Sequence, residues 1–249
     1  MKVRLDKLLW ERGLASSRQG AQALILAGKV QVDGQNAGKP GTAVHADCVL
    51  RVLGEARKYV SRGGLKLDKA LEHWGIDVTG KRCLDIGAST GGFTDCLLQH
   101  GAARVIAVDT GYGQIDFRLR QDPRVQLLEK TNARYLTREQ LGEAVDLIAI
   151  DVAFISATLV LPPVITAAFP EARAERRGRQ IVVLVKPQFE AGRAQVGKGG
   201  IVRDEAAQRA AVEKVRQALL QENCARTEAV ESPILGVQGN REFLLLGVF

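Results

Sequence analysis

The sequence has no closely spaced cysteine pair. Its four cysteines, Cys48, Cys83, Cys96 and Cys224, are scattered over 249 residues. Without a C-x-x-C, neither a zinc site nor a disulfide framework is expected, so no metal is assigned. Reduced, mostly buried thiols in a cytoplasmic protein are the simpler reading. No apolar core follows the charged first residues, so no signal peptide is expected. No apolar run approaches the roughly 20 residues of a membrane span, and no membrane association is expected. The short β-branched runs at 145–150 and 181–185 read instead as buried strands. The pattern G-x-x-x-x-G-K-[ST] is missing, which removes a nucleoside triphosphate site. There is no internal repeat or low-complexity tract.

What is present begins with charge. The chain is 46% hydrophobic and 25% charged, the composition of a soluble globular protein. Its length suits one large domain or two unequal ones. Of its formal net charge of +7, all lies at one end: residues 1–66 hold 12 Lys+Arg and 5 Asp+Glu, and residues 67–249 hold 23 of each. A basic module beside a neutral one points to contact with a polyanion.

The most informative stretch is Leu84-Asp85-Ile86-Gly87-Ala88-Ser89-Thr90-Gly91-Gly92-Phe93-Thr94. It reads as a buried strand, a small-residue turn and the start of a helix. Such a turn lets backbone N–H groups approach a ligand closely, although glycine also serves plain strand-to-helix geometry. The next strand, 104–108, ends at Asp109, where a carboxylate can accept both hydroxyls of a ribose. The G-x-G-x-x-G spacing of a dinucleotide site is absent. A strand ending at Asp85, a small-residue turn and a ribose acid resemble the S-adenosylmethionine site of Rossmann-like methyltransferases. On that resemblance Asp85, Gly87, Ala88, Ser89, Gly91, Gly92, Phe93 and Thr94 are the expected cofactor residues, with Asp109 on the ribose. Asn132 and Ala133 follow the third strand, where adenine would lie. Asn132 could read the adenine amino group through its amide oxygen, or simply cap a loop.

In the basic segment, Leu5, Leu8, Leu9 and Trp10 predict a short helix ending near Gly13. Ser16 or Ser17 caps a second helix, with Ala21, Leu24 and Ile25 inward and Gly28 as its stop. Strands around 30–32 and 49–52 follow, with Asp33-Gly34 as a turn. The pieces Arg4-Leu5-Asp6-Lys7-Leu8-Leu9, Gly13-Leu14, Ser17-Arg18 and Gly28-Lys29-Val30-Gln31-Val32-Asp33-Gly34 resemble the alpha-L RNA-binding domain, a fold first described in a small-subunit ribosomal protein. The resemblance makes Arg4, Lys7, Arg18, Gln22 and Lys29 candidate RNA contacts. Contacts to phosphates position an RNA without reading its sequence. The expected division is 1–58 RNA-binding domain, 59–64 linker and 65–249 catalytic domain.

From residue 67 the pattern is α/β: helices at 67–74, 93–101 and 204–221 alternate with strands at 82–86, 104–108, 125–129, 145–150, 181–185 and 241–249. The expected fold is a parallel, Rossmann-like methyltransferase sheet beside a small α+β module, with ligands beyond the carboxyl ends of the strands. Asp151 and Lys186 stand at two such ends. Glu242 begins the last strand, and Lys66 precedes the first helix.

Those four positions lie in Ser61-Arg62-Gly63-Gly64-Leu65-Lys66-Leu67, the strand ending at Asp151, Val185-Lys186-Pro187-Gln188 and Asn240-Arg241-Glu242-Phe243. They resemble the Lys-Asp-Lys-Glu set of the FtsJ-like ribose 2′-O-methyltransferases. With the RNA-binding module, the whole chain resembles the TlyA family, historically labelled hemolysins. The resemblance implies transfer of a methyl group from S-adenosylmethionine to a cytidine ribose 2′-hydroxyl of ribosomal RNA. Lys186 would take or steer the hydroxyl proton, Asp151 would orient it, and Glu242 would hold Lys66. The compact ends resemble the shorter family form, which implies the large ribosomal subunit as partner; no obligate protein partner is expected. Competing readings are a non-catalytic ribosome-assembly factor, a pore-forming hemolysin and a base methyltransferase. The last would offer an Asn/Asp-Pro-Pro-aromatic motif, whereas Asp151 is followed by Val152-Ala153-Phe154.

Overall fold

A computed structural model describes residues 2–15, 17–53, 58–169 and 172–249. The basic segment forms β1 (Lys2–Arg4), α1 (Leu5–Glu11), α2 (Arg18–Leu26), β2 (Val30–Val32), β3 (Gln35–Asn36), β4 (Ala43–His45) and β5 (Leu50–Val52). Strand β1 pairs with β4, and β2 lies between β3 and β5. Leu5, Leu9, Ala21, Ile25 and Val30 are fully buried between them. Ser17 caps α2, its hydroxyl accepting from the Gly20 N–H; Ser16, the other expected cap, lies outside the described residues. Asp33 and Gly34 both take positive φ, 50° and 83°, as a tight hairpin turn requires.

The remainder runs α3 (Gly63–Trp74), β6 (Arg82–Ile86), α4 (Gly92–Gln99), β7 (Arg104–Val108), α5 (Phe117–Gln121), β8 (Val125–Leu128), α6 (Arg138–Leu141), β9 (Leu147–Ile150), α7 (Leu161–Ala168), β10 (Gln180–Val185), α8 (Pro187–Glu190), α9 (Glu205–Gln221), β11 (Arg226–Glu231) and β12 (Phe243–Val248). Seven strands make one sheet in the order β11-β12-β10-β9-β6-β7-β8. Strands β10, β9, β6, β7 and β8 are parallel; β12 runs against both its neighbours. Alternation along each strand feeds two cores. Leu84, Ile106, Ile148, Val183 and Leu245 pack with α7 and α9 on one face. Cys83, Val105, Leu147, Val182 and Leu244 pack with α3 and α4 on the other. The chain leaves β6 for β7 and β8, then crosses back to β9. That reversal opens a crevice at the carboxyl ends of β6 and β9, where ligands bind in open α/β sheets.

Three expectations need correction. The first concerns the segment expected as a linker, 59–64. Tyr59 is buried in the catalytic core, and α3 already begins at Gly63. The Tyr59 hydroxyl donates to Asp68 Oδ1 at 2.7 Å, Lys58 Nζ lies 2.6 Å from Oδ2 and His100 Nε2 lies 2.8 Å from Oδ1. Burial works against the Asp68 charge, but these partners hold its carboxyl below the ordinary carboxylate range. Cys96 completes the cluster. With Tyr59 and Lys58 among its partners, Asp68 fastens the entry of the catalytic unit. Part of the expected junction, 54–57, lies outside the described residues. Second, Lys66 sits within the first turn of α3 rather than ahead of the helix. Third, α7 and β11 were not expected, for reasons taken up in the Discussion.

Candidate active site

Lys66, Asp151, Lys186 and Glu242 come from α3 and from the ends of β9, β10 and β12, yet all four line one open cleft. The antiparallel course of β12 is what delivers Glu242: Phe243 pairs with Val185, so the start of β12 meets the end of β10. The residues are paired. Lys66 Nζ donates to Glu242 Oε2 at 2.5 Å, with both side chains buried. Lys186 Nζ lies 2.5 Å from Asp151 Oδ1, with both side chains mostly buried. Each buried charge thus has a partner of opposite sign, which a water-poor site requires.

The glycine-rich turn forms the opposite wall: Gly87, Ala88, Ser89, Thr90, Gly92 and Phe93 line the cleft, with Ser61, Arg62, Gly63 and Val237. Glycine is required here by contact. Gly87 has φ 86°, and a Cβ on it would collide with the Asp151 carbonyl oxygen. A Cβ on Gly92 would strike Ser61 Oγ and come within 2.9 Å of Gly64 N. The glycine-rich turn is therefore seated directly against the segments carrying Asp151 and Lys66. Ser89 takes φ 49°, and its N–H donates to Asp109 Oδ2 at 2.8 Å. Asp109 Oδ1 accepts from the Gly111 N–H at 2.6 Å.

Other expected cofactor residues stand further back. Asp85 is fully buried, and its Oδ2 accepts from the Thr94 hydroxyl at 2.6 Å. Its Oδ1 has no partner. Burial pushes the Asp85 carboxyl up to about 7, and the charges of Asp151 and Asp109 add to this against the Thr94 hydrogen bond. Asp85 and Thr94 therefore support the turn from behind. Gly91, with φ 95°, is the N-cap of α4. Ala133 is a core residue on the α7 face rather than a cleft residue. Asn132 Oδ1, expected either to read adenine or to cap a loop, accepts from the Arg134 N–H at 3.0 Å as a turn cap. A small adenosyl cofactor fits the remaining cradle. The turn is stripped of side chains where backbone must approach, Asp109 stands at the tip of β7, and a buried carboxylate oxygen lies unpartnered beneath.

In the N-terminal module, Arg4, Arg18 and Gln22 converge on one residue. Arg4 contacts Asp6 at 2.9 Å, Arg18 at 3.2 Å and Gln22 at 2.8 Å. Asp6 is fully buried. The hydrogen bond from Arg4 leads, with those from Gln22 and Arg18, in holding its carboxyl well below the ordinary range despite burial. The sequence singles out these three donors, two of them cations, but not the carboxylate that organises them, although Asp6 lies in the same Arg4–Leu9 stretch. Lys7 pairs with Glu11 at 3.3 Å, and Lys29 is exposed. The exposed Phe154, three residues beyond Asp151, was also missed; it takes φ 63° and packs on Phe189 at 5.4 Å between ring centres. A bulky side chain held at positive φ is uncommon and costs energy.

A seven-stranded sheet with one reversed strand, a glycine-rich turn after its first catalytic-unit strand and a charged tetrad at the switch point define a Rossmann-like methyltransferase. The sequence profile of the FtsJ-like methyltransferase family matches residues 59–249, and that of the S4 domain matches residues 3–47. A Mycobacterium tuberculosis protein named 16S/23S rRNA (cytidine-2'-O)-methyltransferase TlyA is 48% identical, covering 98% of this chain and 89% of its own. Hemolysin A of Brachyspira hyodysenteriae is 40% identical, covering 97% of this chain and 98% of its own. A solved Streptococcus thermophilus structure described as a hemolysin superposes with TM-score 0.73 at 41% identity, covering 99% of this chain and 88% of that one. The chain belongs to the FtsJ-like methyltransferases and, among them, to the TlyA family.

Proposed function

We propose that this enzyme methylates the 2′-hydroxyl of a cytidine ribose in ribosomal RNA, with S-adenosylmethionine as methyl donor. The observation that carries the reading is the tetrad: two buried Lys–carboxylate pairs facing one cleft beside a cofactor turn. When bound, the cofactor supplies an electrophilic methyl group; Gly87, Ala88, Ser89 and Gly92 would hold it, with Asp109 at its ribose. Lys186 steers or takes the hydroxyl proton, and Asp151 fixes the direction of its Nζ. Lys66, held by Glu242, presents a second cation toward the acceptor ribose. Positioning of this kind contributes roughly 7–11 kcal/mol, and a base adds about 10²–10⁴-fold. Phe154 and Phe189 give the acceptor side an aromatic surface on which an unstacked base can rest.

Arg4, Lys7, Arg18, Gln22 and Lys29 would bind rRNA phosphates. The name of the Mycobacterium tuberculosis relative covers both subunits, and we place the target in the large subunit of a cytoplasmic ribosome. Among the described residues no helix is long and apolar enough to cross a membrane.

Labelled methyl transfer to purified subunits, followed by ribose-methylation mapping, tests the reading. Label at a 2′-position of large-subunit rRNA is expected. Label on the base, or none on either subunit, would reject the proposed reaction; label confined to the small subunit would reject the target. Lys186→Ala should abolish transfer while calorimetry still shows cofactor binding.

A further inference from the structure

We infer that Glu190 is a positioning residue for methyl transfer, fixing the geometry between Asp151 and Lys186 from outside the cleft. The inference rests on the assignment of those two residues to the reaction. Glu190 ends α8, four residues after Lys186, and its side chain is 2% exposed. A carboxylate so deeply buried is costly unless its oxygens are well occupied, and both are. Oε1 accepts from the Ala157 N–H at 2.6 Å. Oε2 accepts from the Ser156 hydroxyl at 2.5 Å and has Lys214 Nζ of α9 at 3.4 Å. Lys214 also donates to the Glu190 carbonyl at 2.9 Å.

Ser156 and Ala157 belong to the segment that leaves β9 through Asp151. Glu190 belongs to the segment that leaves β10 through Lys186. One carboxylate thus ties together the two loops carrying the reacting pair, and Lys214 ties that joint to the longest helix of the fold. The Phe154–Phe189 ring contact bridges the same two loops. Strands β9 and β10 fix where the loops start, since Ile150 pairs with Val183. The β9–β10 pairing ends at Ile150 and Val183. Beyond it the Asp151 N–H still donates to the Ile86 carbonyl at 2.8 Å and Val185 still pairs with Phe243, which fixes each backbone on its outer side; what holds the two loops to each other completes the side-chain geometry of Asp151 and Lys186. Glu190 supplies the largest set of charge-assisted bonds there, and such bonds are the stronger and more directional kind.

The test is a comparison of Glu190→Ala, Glu190→Gln and Ser156→Ala in the full-length enzyme, alongside Lys186→Ala. Misplacement by about 1 Å costs on the order of 100-fold, so Glu190→Ala should lower kcat by about that factor with cofactor affinity within threefold of wild type. Its kcat–pH profile should also shift, because the Asp151–Lys186 pair is no longer held. Glu190→Gln keeps an acceptor for the Ala157 N–H and should recover most of kcat. Ser156→Ala removes one bond and should fall between, which keeps the test open if Glu190→Ala does not fold. A kcat within threefold of wild type in folded Glu190→Ala would overturn the inference. So would a lowered melting temperature with an unmoved pH profile, or a Gln variant no better than Ala. If Lys186→Ala itself retains turnover, the assignment of the reacting pair fails instead.

Discussion

At the residue scale, buried acids organise both halves of the molecule. Asp85 is the clearest case for pH. Its carboxyl is raised from 3.8 to about 7 by burial first, with like charges adding. A raised folded-state value means its contribution to stability is full below pH 3.8 and is lost as pH rises through about 7. Without ligand, this contribution to the melting temperature should therefore decline between about pH 4 and pH 7, and Asp85→Asn should flatten the decline. The difference is worth a few kcal/mol at most; parallel curves for the two proteins would contradict it. Asp6 offers a different contrast. Asp6→Asn makes the module more positive, so net charge alone predicts tighter RNA binding. Loss of the carboxylate that aligns Arg4 and Arg18 predicts weaker binding, by about tenfold if one to two kcal/mol of alignment is lost. Fluorescence anisotropy with an rRNA fragment decides between them. Cys83 and Cys96, by contrast, are inert: burial pushes both thiols up to about 12.

At the element scale, helix ends and sheet edges explain which predictions hold. Helix α9 begins where Asp204 accepts from the Ala206 and Ala207 N–H groups. Asp204→Ala should cost about 1 kcal/mol, read from chemical denaturation. Because α9 carries Lys214, catalysis should fall only if the helix end frays as far as that residue. The expected strands agree with the observed ones to within a few residues, most directly where β7, β9 and β10 run through buried stretches rich in Val and Ile. Helix α7 was not anticipated. Its Leu161-Pro162-Pro163 start looks like a break, yet proline is tolerated in the first turn of a helix, where N–H groups lack intrahelical partners. Strand β11 was missed for the opposite reason. It reads Arg-Thr-Glu-Ala-Val-Glu and is mostly exposed, because an edge strand carries charge to avoid pairing with other chains.

At the scale of the whole molecule, charge and chemistry are divided between two units. The excess of positive charge lies in the first 66 residues, and the four charged residues proposed to act in methyl transfer lie at the switch point of the sheet. RNA affinity should therefore fall steeply with salt, and Arg18→Ala should lower the slope of log K against log salt by about 1 while leaving cofactor affinity unchanged. An unchanged slope would remove Arg18 from the phosphate contacts.

The sequence by itself determined the alternation of strands and helices, the glycine-rich turn, the basic module and the four charged positions. Each is written in local spacing, where periodicity and turn chemistry act. Only the tertiary structure decided which of these residues meet. The pairing of Lys66 with Glu242 spans 176 positions and depends on β12 running against β10. Packing set Asp85 fully buried behind the turn, with one oxygen on Thr94 and the other unpartnered, and chain crossing brought Gly87 against Asp151. Asp6 and Glu190 look like ordinary surface acids in the sequence. Burial and the partners that burial demands are properties of packing, and no local pattern encodes them.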